Sequence, residues 1–343
     1  DKIFHTSNLY YNTACGKAAE DLKRITGMDR IFFTNSGGEA VEGTLKAARK
    51  YAYKKGTGRY EFIAMKESFH GRSFGAVSVT GHDAYREPFE PLVPGVSFAQ
   101  YNDLDSVKAL VTDKTCAIIL EPLQGEGGFI PAPIEFVKKL RKICDDNGIM
   151  LIADEVQCGN CRTGKYFTSE YWKEAGAAPD IIATAKSMGA GVPISAISAR
   201  EEVMDAAPAG TIGGTYCGNP LACAAAIKTM EIMKEEDYCA KSIHIGSVVR
   251  KAFEKMKEKY DIIGDVRGIG GMLGIEFVKD KERKEPNPEF VSKLVQTALQ
   301  KGLLLENAGS FGNVIRFLAP LCMTEEQMET GLKIFEESIL ANL

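Results

Sequence analysis

The chain has a single tryptophan, only four histidines and no excess of basic residues. Four scattered histidines are too few for a histidine-rich metal centre. Lys+Arg number 42 against 46 Asp+Glu, a net charge of −4, so the basic stripe of a nucleic-acid binder is missing. Long apolar runs are missing as well. Stretches such as Cys116–Leu120 and Pro220–Ile227 fall far short of a membrane span, and no charged-then-apolar leader opens the sequence. The nine cysteines are odd in number and scattered, several in apolar segments (Cys116, Cys144, Cys223), as expected of free thiols in a reducing, cytoplasmic setting. What remains is ordinary globular composition, 45% hydrophobic and 26% charged over 343 residues. That length favours two domains of roughly 150 residues each over one.

Short apolar runs alternate with helical patterns from about residue 30 to residue 230. Tyr60–Met65, Cys116–Glu121, Ile149–Asp154, Ile181–Ala185 and Ile194–Ser198 are apolar on both faces, which suits a buried, mostly parallel sheet. Glu39–Lys54 and Pro133–Asn147 carry one apolar face each, and the second ends at the stop signal Asn147-Gly148. The expectation is an α/β domain over residues 1–235. Residues 236–343 change texture. The helical stretch Ser242–Lys259 follows Met230–Glu236, then come a strand region Gly264–Val278, a charged loop Lys279–Asn287, a helix Glu289–Lys301, and short strands Leu303–Glu306 and Asn313–Leu318. A final helix opens on a Thr324/Gln327 capping box, completing a smaller α+β domain.

Three segments could carry chemistry. Thr34-Asn35-Ser36-Gly37-Gly38-Glu39 follows an apolar strand and opens a helix, so small residues and a positive helix end could cradle a phosphate. It reads equally as a plain N-cap on Ser36, and it lacks the GxxxxGK[ST] of a nucleotide loop. Asp154-Glu155-Val156-Gln157 puts a carboxylate at the end of a buried strand, where open α/β sheets bind ligands. A cap on the next turn explains it as well. Lys186 stands between an apolar strand and Ser187-Met188-Gly189-Ala190-Gly191, a place that predicts poor hydration and a nucleophilic amine. A lone lysine more often snorkels to solvent. Taken together, a phosphate cradle, a buried acid and a reactive amine are what pyridoxal 5′-phosphate (PLP) requires.

The ordered segments Asn35-Ser36-Gly37-Gly38-Glu39-Ala40, Phe69-His70-Gly71-Arg72, Glu121-Pro122-Leu123-Gln124-Gly125-Glu126-Gly127-Gly128, Asp154-Glu155-Val156-Gln157, Arg162-Thr163-Gly164, Ala185-Lys186-Ser187, Gly213-Gly214-Thr215-Tyr216 and Ile315-Arg316-Phe317 resemble class III PLP-dependent aminotransferases. The resemblance implies a type I PLP-dependent transferase fold and a set of roles. Lys186 would bond to the cofactor aldehyde and shuttle a proton, Asp154 would pair with the pyridine nitrogen, and Gly37 and Gly38 would bind the phosphate. Phe69 would stack on the ring and Gln157 would reach its hydroxyl. Thr215 would serve the phosphate of a neighbouring subunit, which implies a homodimer with a shared active site. Arg72 would hold the carboxylate remote from the reacting amine, and Arg316 that of 2-oxoglutarate. Glu126 would neutralise Arg316 during the donor half-reaction. Arginine suits both positions because its planar fork binds carboxylates bidentately.

Within the resemblance, the second half is similar to 4-aminobutyrate aminotransferases and the first half to acetylornithine aminotransferases. Gly214 stands where acetylornithine enzymes usually carry serine, so the sequence favours an ω-amino acid such as 4-aminobutyrate as donor to 2-oxoglutarate. Acetylornithine or ornithine is the alternative, and a PLP-dependent epimerase a more distant one. The match begins partway into the family pattern, so the family's N-terminal segment is expected to be absent. Cys158-Gly159-Asn160-Cys161 replaces the family's glycine-aromatic-glycine stretch and is read as two free thiols, with no second pair to complete a zinc site. Gly268-Ile269-Gly270-Gly271-Met272-Leu273-Gly274 narrowly misses GxGxxG and is read as tight packing. His70 is read as structural.

Overall fold

The computed structural model describes residues 5–343. The chain divides into two compact units. The first comprises residues up to Pro122, Ala132–Asn160 and Tyr166–Glu236; the second comprises Leu123–Pro131, Cys161–Lys165 and Asp237–Leu343. Two short excursions of the first half therefore belong to the second unit, a feature that composition does not signal.

The first unit is built on a seven-stranded sheet. In spatial order its strands are Arg30–Thr34, Ser195–Ala199, Ile181–Thr184, Met150–Asp154, Thr115–Leu120, Glu61–Met65 and Val96–Ala99. Only Ser195–Ala199 runs antiparallel to its neighbours, and the rest pair in parallel. The central strands Thr115–Leu120, Met150–Asp154 and Ile181–Thr184 are buried along their whole length, as unbroken apolar runs require. Helices cover both faces. One core layer joins Leu22, Val137, Leu140, Leu151 and Trp172, and the other joins Val41, Ala48, Ile119, Ile152 and Ile197.

Two helices fix where that sheet ends. Gly37–Lys54 is capped by Ser36, whose Oγ accepts from Glu39 N, so the N-cap reading of this segment is realised. Ile134–Asn147 stops at Gly148, whose φ of 62° is the left-handed conformation that glycine adopts freely. A buried ion pair ties this helix to the sheet: Arg141 Nη1 donates to Asp180 Oδ2 at 2.7 Å, and the same oxygen accepts from Leu151 N at 2.8 Å.

In the second unit, helix Tyr238–Lys259 packs on the hairpin Ile263–Ile269/Met272–Asp280, which continues through Val314–Phe317 to Glu306–Ala308. The near-miss glycine motif is this hairpin's turn. A Cβ on Gly246 would stand 1.9 Å from Gly270 O, and one on Gly268 would stand 2.0 Å from Met272 O. These glycines allow close backbone approach and have no ligand role. Thr324 and Gln327 form the anticipated capping box of the last helix, Glu325–Leu340. The strand expected over Leu303–Glu306 lies later, at Glu306–Ala308, because pairing with Val314–Phe317 sets its limits. Helix Thr13–Thr26 was not foreseen. Among the described residues no helix is long and apolar enough to cross a membrane. None of the described His, Cys, Asp or Glu residues gather in threes where a metal could bind.

Removing Asp180 takes from buried Arg141 its buried partner and leaves it only the exposed Asp145, at 2.9 Å. Asp180→Ala should therefore lower stability by about 3 kcal/mol or more, read as a shift of the urea midpoint. A loss below about 1 kcal/mol, the worth of an exposed pair, would show that Asp180 does not anchor this edge of the core.

Candidate active site

A cavity of about 390 Å³ opens at the carboxyl ends of the central strands, lined by residues that include Gly37, Gly38, Phe69, Asp154, Gln157 and Lys186. Six of the ten residues singled out in the sequence thus share one wall system. The location is the one open α/β sheets use for ligands, and the volume lies within the range of small-molecule sites.

Asp154 is the last residue of Met150–Asp154 and is 3% exposed. Its Oδ1 accepts from Val156 N at 3.0 Å, and its Oδ2 lies 2.7 Å from Nδ1 of the buried His70. A carboxylate accepts only, so Nδ1 carries the hydrogen in this contact. His70, read as structural from the sequence, orients the acid. Its Nε2 is buried without a partner. Only the fold brings residue 70 beside residue 154, so no local pattern could have signalled the pairing. Glu155 points elsewhere. It is fully buried and accepts from Thr168 N, Ser169 N and Cys158 Sγ, and burial pushes its carboxyl up. The adjacent acids thus divide into one cavity residue and one that holds a loop.

The amides of Glu39 and Ala40 are satisfied by Ser36. Those of Gly37 and Gly38 open the helix, where amides have no intrahelical acceptor, and both residues line the cavity. A Cβ on Gly37 would lie 2.8 Å from Val156 Cγ1, whereas one on Gly38 would meet nothing closer than Ser73 Oγ at 3.5 Å. Phe69 presents its ring to the cavity and is held through its N–H, which donates to Glu121 Oε2 at 3.2 Å. Glu121 lines the cavity as well, a residue given no role from sequence.

Lys186 begins a short 3₁₀ turn directly after Ile181–Thr184 and Ala185, with a φ of 49°. Left-handed backbone at a non-glycine residue costs about 1–3 kcal/mol and persists only where the surroundings impose it, commonly at functional sites. The expectation of poor hydration fails, since Lys186 lines the cavity yet is exposed. Apolar flanking sequence buries the strand, but the turn lifts the lysine clear of it.

Arg72 and Thr215 do not line this cavity. Arg72 is exposed beside it, its guanidinium 5.7 Å from the Phe69 ring centroid and 5.1 Å from that of Tyr85. Thr215 lies on an exposed turn. In the second unit, Arg316 Nη1 donates to Glu126 Oε1 at 2.7 Å, so the two residues expected to pair do so. A second acid, Glu306, accepts from Arg316 Nη2 at 2.6 Å from the directly opposed position of the neighbouring strand. Cys158 and Cys161 are buried and in no disulfide, and burial pushes the Cys158 thiol well up, which removes its nucleophilicity.

These residues fit PLP. Two helix-start amides suit its phosphate, a buried oriented carboxylate suits its pyridine nitrogen, an aromatic face suits its ring, and a primary amine stands at the same wall. The Aminotransferase class-III family matches residues 1–339. This chain belongs to the class-III aminotransferases. It is therefore a PLP-dependent transaminase of the type I fold. The acetylornithine aminotransferase of Clostridium acetobutylicum is 42% identical over 342 residues, covering 98% of this chain and 84% of the relative. That of Methanocaldococcus jannaschii is 40% identical, covering 98% and 81%. Among solved structures, a PLP-bound amine transaminase from an uncultivated Pseudomonas species superposes with a TM-score of 0.92 at 28% identity, covering 100% of this chain and 85% of that one.

The glycine geometry makes a prediction. Overpacking at Gly37 costs about 1–3 kcal/mol, so Gly37→Ala should weaken PLP binding about tenfold or more. Gly38→Ala should change it less than about threefold. Fluorescence titration of the apoprotein measures both, and equal losses would rule out the Val156 contact as the cause.

Proposed function

We propose that this transaminase moves the terminal amino group of N-acetylornithine, and more slowly of ornithine, to 2-oxoglutarate, giving glutamate and the corresponding semialdehyde. The observation that supports this donor is the 42% and 40% identity, over almost the whole chain, to proteins named acetylornithine aminotransferase. The relatives thus favour the alternative donor over 4-aminobutyrate. The sequence argument for 4-aminobutyrate combined the resemblance of the second half with Gly214. A Cβ there would meet only the side chain of Cys217, its Sγ at 2.5 Å.

When bound, PLP supplies an electron sink for the carbon that loses its proton. The protein supplies the rest. Asp154, fixed by His70 and the Val156 amide, holds a proton on the pyridine nitrogen. Gly37 and Gly38 hold the phosphate through their N–H groups, and Phe69 covers the ring. Gln157 holds the ring hydroxyl, and Lys186 Nζ carries the proton between the substrate carbon and the cofactor. Arg72 binds the carboxylate remote from the reacting amine. Arg316 binds the carboxylate of 2-oxoglutarate and is neutralised by Glu126 when that carboxylate is absent. Thr215 acts on the phosphate of a second copy, so the working species in this proposal is a cytoplasmic homodimer.

Initial rates with 2-oxoglutarate against N-acetylornithine, ornithine, lysine and 4-aminobutyrate test the donor. A kcat/KM for N-acetylornithine at least about tenfold above that for 4-aminobutyrate is expected, a difference of about 1.4 kcal/mol. The opposite order would overturn the donor assignment. Amino-acid racemisation without 2-oxoglutarate would overturn the transfer itself.

A further inference from the structure

One carboxylate of the first unit holds a loop that the cavity depends on. Glu42 stands one turn after Gly38 on the same face of helix Gly37–Lys54. Its Oε1 accepts three hydrogen bonds, from Ser73 Oγ at 2.7 Å, Gly75 N at 2.7 Å and Ala76 N at 3.2 Å. Gly75 and Ala76 lie in the first turn of the short helix Phe74–Ser78, where amides have no intrahelical acceptor. Ser73, at the cap position, makes no side-chain bond to them. The cap comes from a different helix instead, and a charged acceptor makes it a strong one.

The segment just before this cap carries the groups that face a ligand. Phe69 and His70 line the cavity, and Arg72 stands exposed beside it. The segment is fixed at both ends. At one end the buried Thr80 Oγ1 accepts from His70 N at 2.9 Å. At the other, Glu42 holds Ser73, the neighbour of Arg72. Between them the backbone presses on the cavity-lining helix start: Gly71 has a φ of 130°, and a Cβ on it would lie 3.0 Å from Gly38 Cα. The Arg72 guanidinium lies against the rings of Phe69 and Tyr85, a weak hold at an exposed place. Its direction is therefore set mainly by the backbone that Glu42 clamps.

We propose that Glu42 is a positioning residue for Arg72. By tying Ser73 and the start of helix Phe74–Ser78 to helix Gly37–Lys54, it fixes the direction in which the guanidinium meets a substrate carboxylate. The role rests on the assignment of Arg72 to that carboxylate. Glu42 itself touches neither substrate nor cofactor. Its leverage is geometric, since a shift of about 1 Å in a binding group can cost up to about a hundredfold. Loss of the clamp leaves the His70 end on Thr80, so the effect falls on substrate binding and spares the cofactor.

The test measures steady-state kinetics of the PLP-loaded protein with 2-oxoglutarate and the fastest donor among N-acetylornithine, ornithine, lysine and 4-aminobutyrate. Glu42→Ala, checked for native circular dichroism, should raise the donor KM about tenfold, with kcat and PLP affinity changed less than about threefold. Glu42→Gln keeps an acceptor oxygen and should bring KM back to within about threefold of the unaltered protein. Gly75→Ala attacks the clamp from the other side. Alanine favours a helix over glycine, but its Cβ would stand 2.1 Å from Glu42 Oε2 and displace the carboxylate, so KM should rise as in Glu42→Ala. Arg72→Ala should raise KM at least as much, and adding Glu42→Ala to it should raise KM less than about threefold further. The proposal is overturned if Arg72→Ala raises KM while Glu42→Ala and Gly75→Ala leave it unchanged. It is also overturned if the losses fall on kcat or PLP affinity, or if the effects of Glu42→Ala and Arg72→Ala multiply. An unchanged KM in Arg72→Ala would overturn the assignment of Arg72, and the role of Glu42 with it.

Discussion

The active site depends on one buried carboxylate held in one orientation. Asp154 ends a fully buried strand, and an unpaired charge there would be costly. His70 and the Val156 amide offset that cost from opposite sides. The same two contacts organise the walls. Val156 limits what can stand at Gly37, the first residue of the Ser36-capped helix that lines the cavity. Residue 69, adjacent to His70, provides the aromatic wall. Helix start, aromatic wall and acid are in this sense one constraint met by neighbouring residues.

Much of this was legible in the sequence, for a physical reason. Strands buried on both faces must be apolar throughout, so Thr115–Leu120, Met150–Asp154 and Ile181–Thr184 announce themselves within a residue or two. Caps such as Ser36, Gly148 and Thr324 are equally local signals. Contacts between segments distant in sequence left no local trace. The His70–Asp154 pairing and the second acid on Arg316 arise only when the chain is folded. The hydration of Lys186 was misjudged because its flanks describe the strand, while a left-handed turn decides where the side chain emerges. The placement of Leu123–Pro131 with the second unit likewise depends on tertiary contacts alone.

Glycine needs care in both directions. Gly268–Gly274 was read as tight packing, and a backbone carbonyl already occupies the space a side chain on Gly268 would need, whereas Gly214 meets only the end of the Cys217 side chain. In the second unit, Arg316 is shared between Glu126 and Glu306, so two acids match its positive charge.

The central claim is that Lys186 and Asp154 serve one cofactor in one cavity, and its most direct test is chemical. Borohydride reduction of the PLP-loaded protein, followed by digestion and mass spectrometry, locates the lysine bonded to the cofactor. The account predicts the pyridoxyl group on Lys186 alone. A reduced cofactor on any other lysine, or none bound after loading, would contradict it.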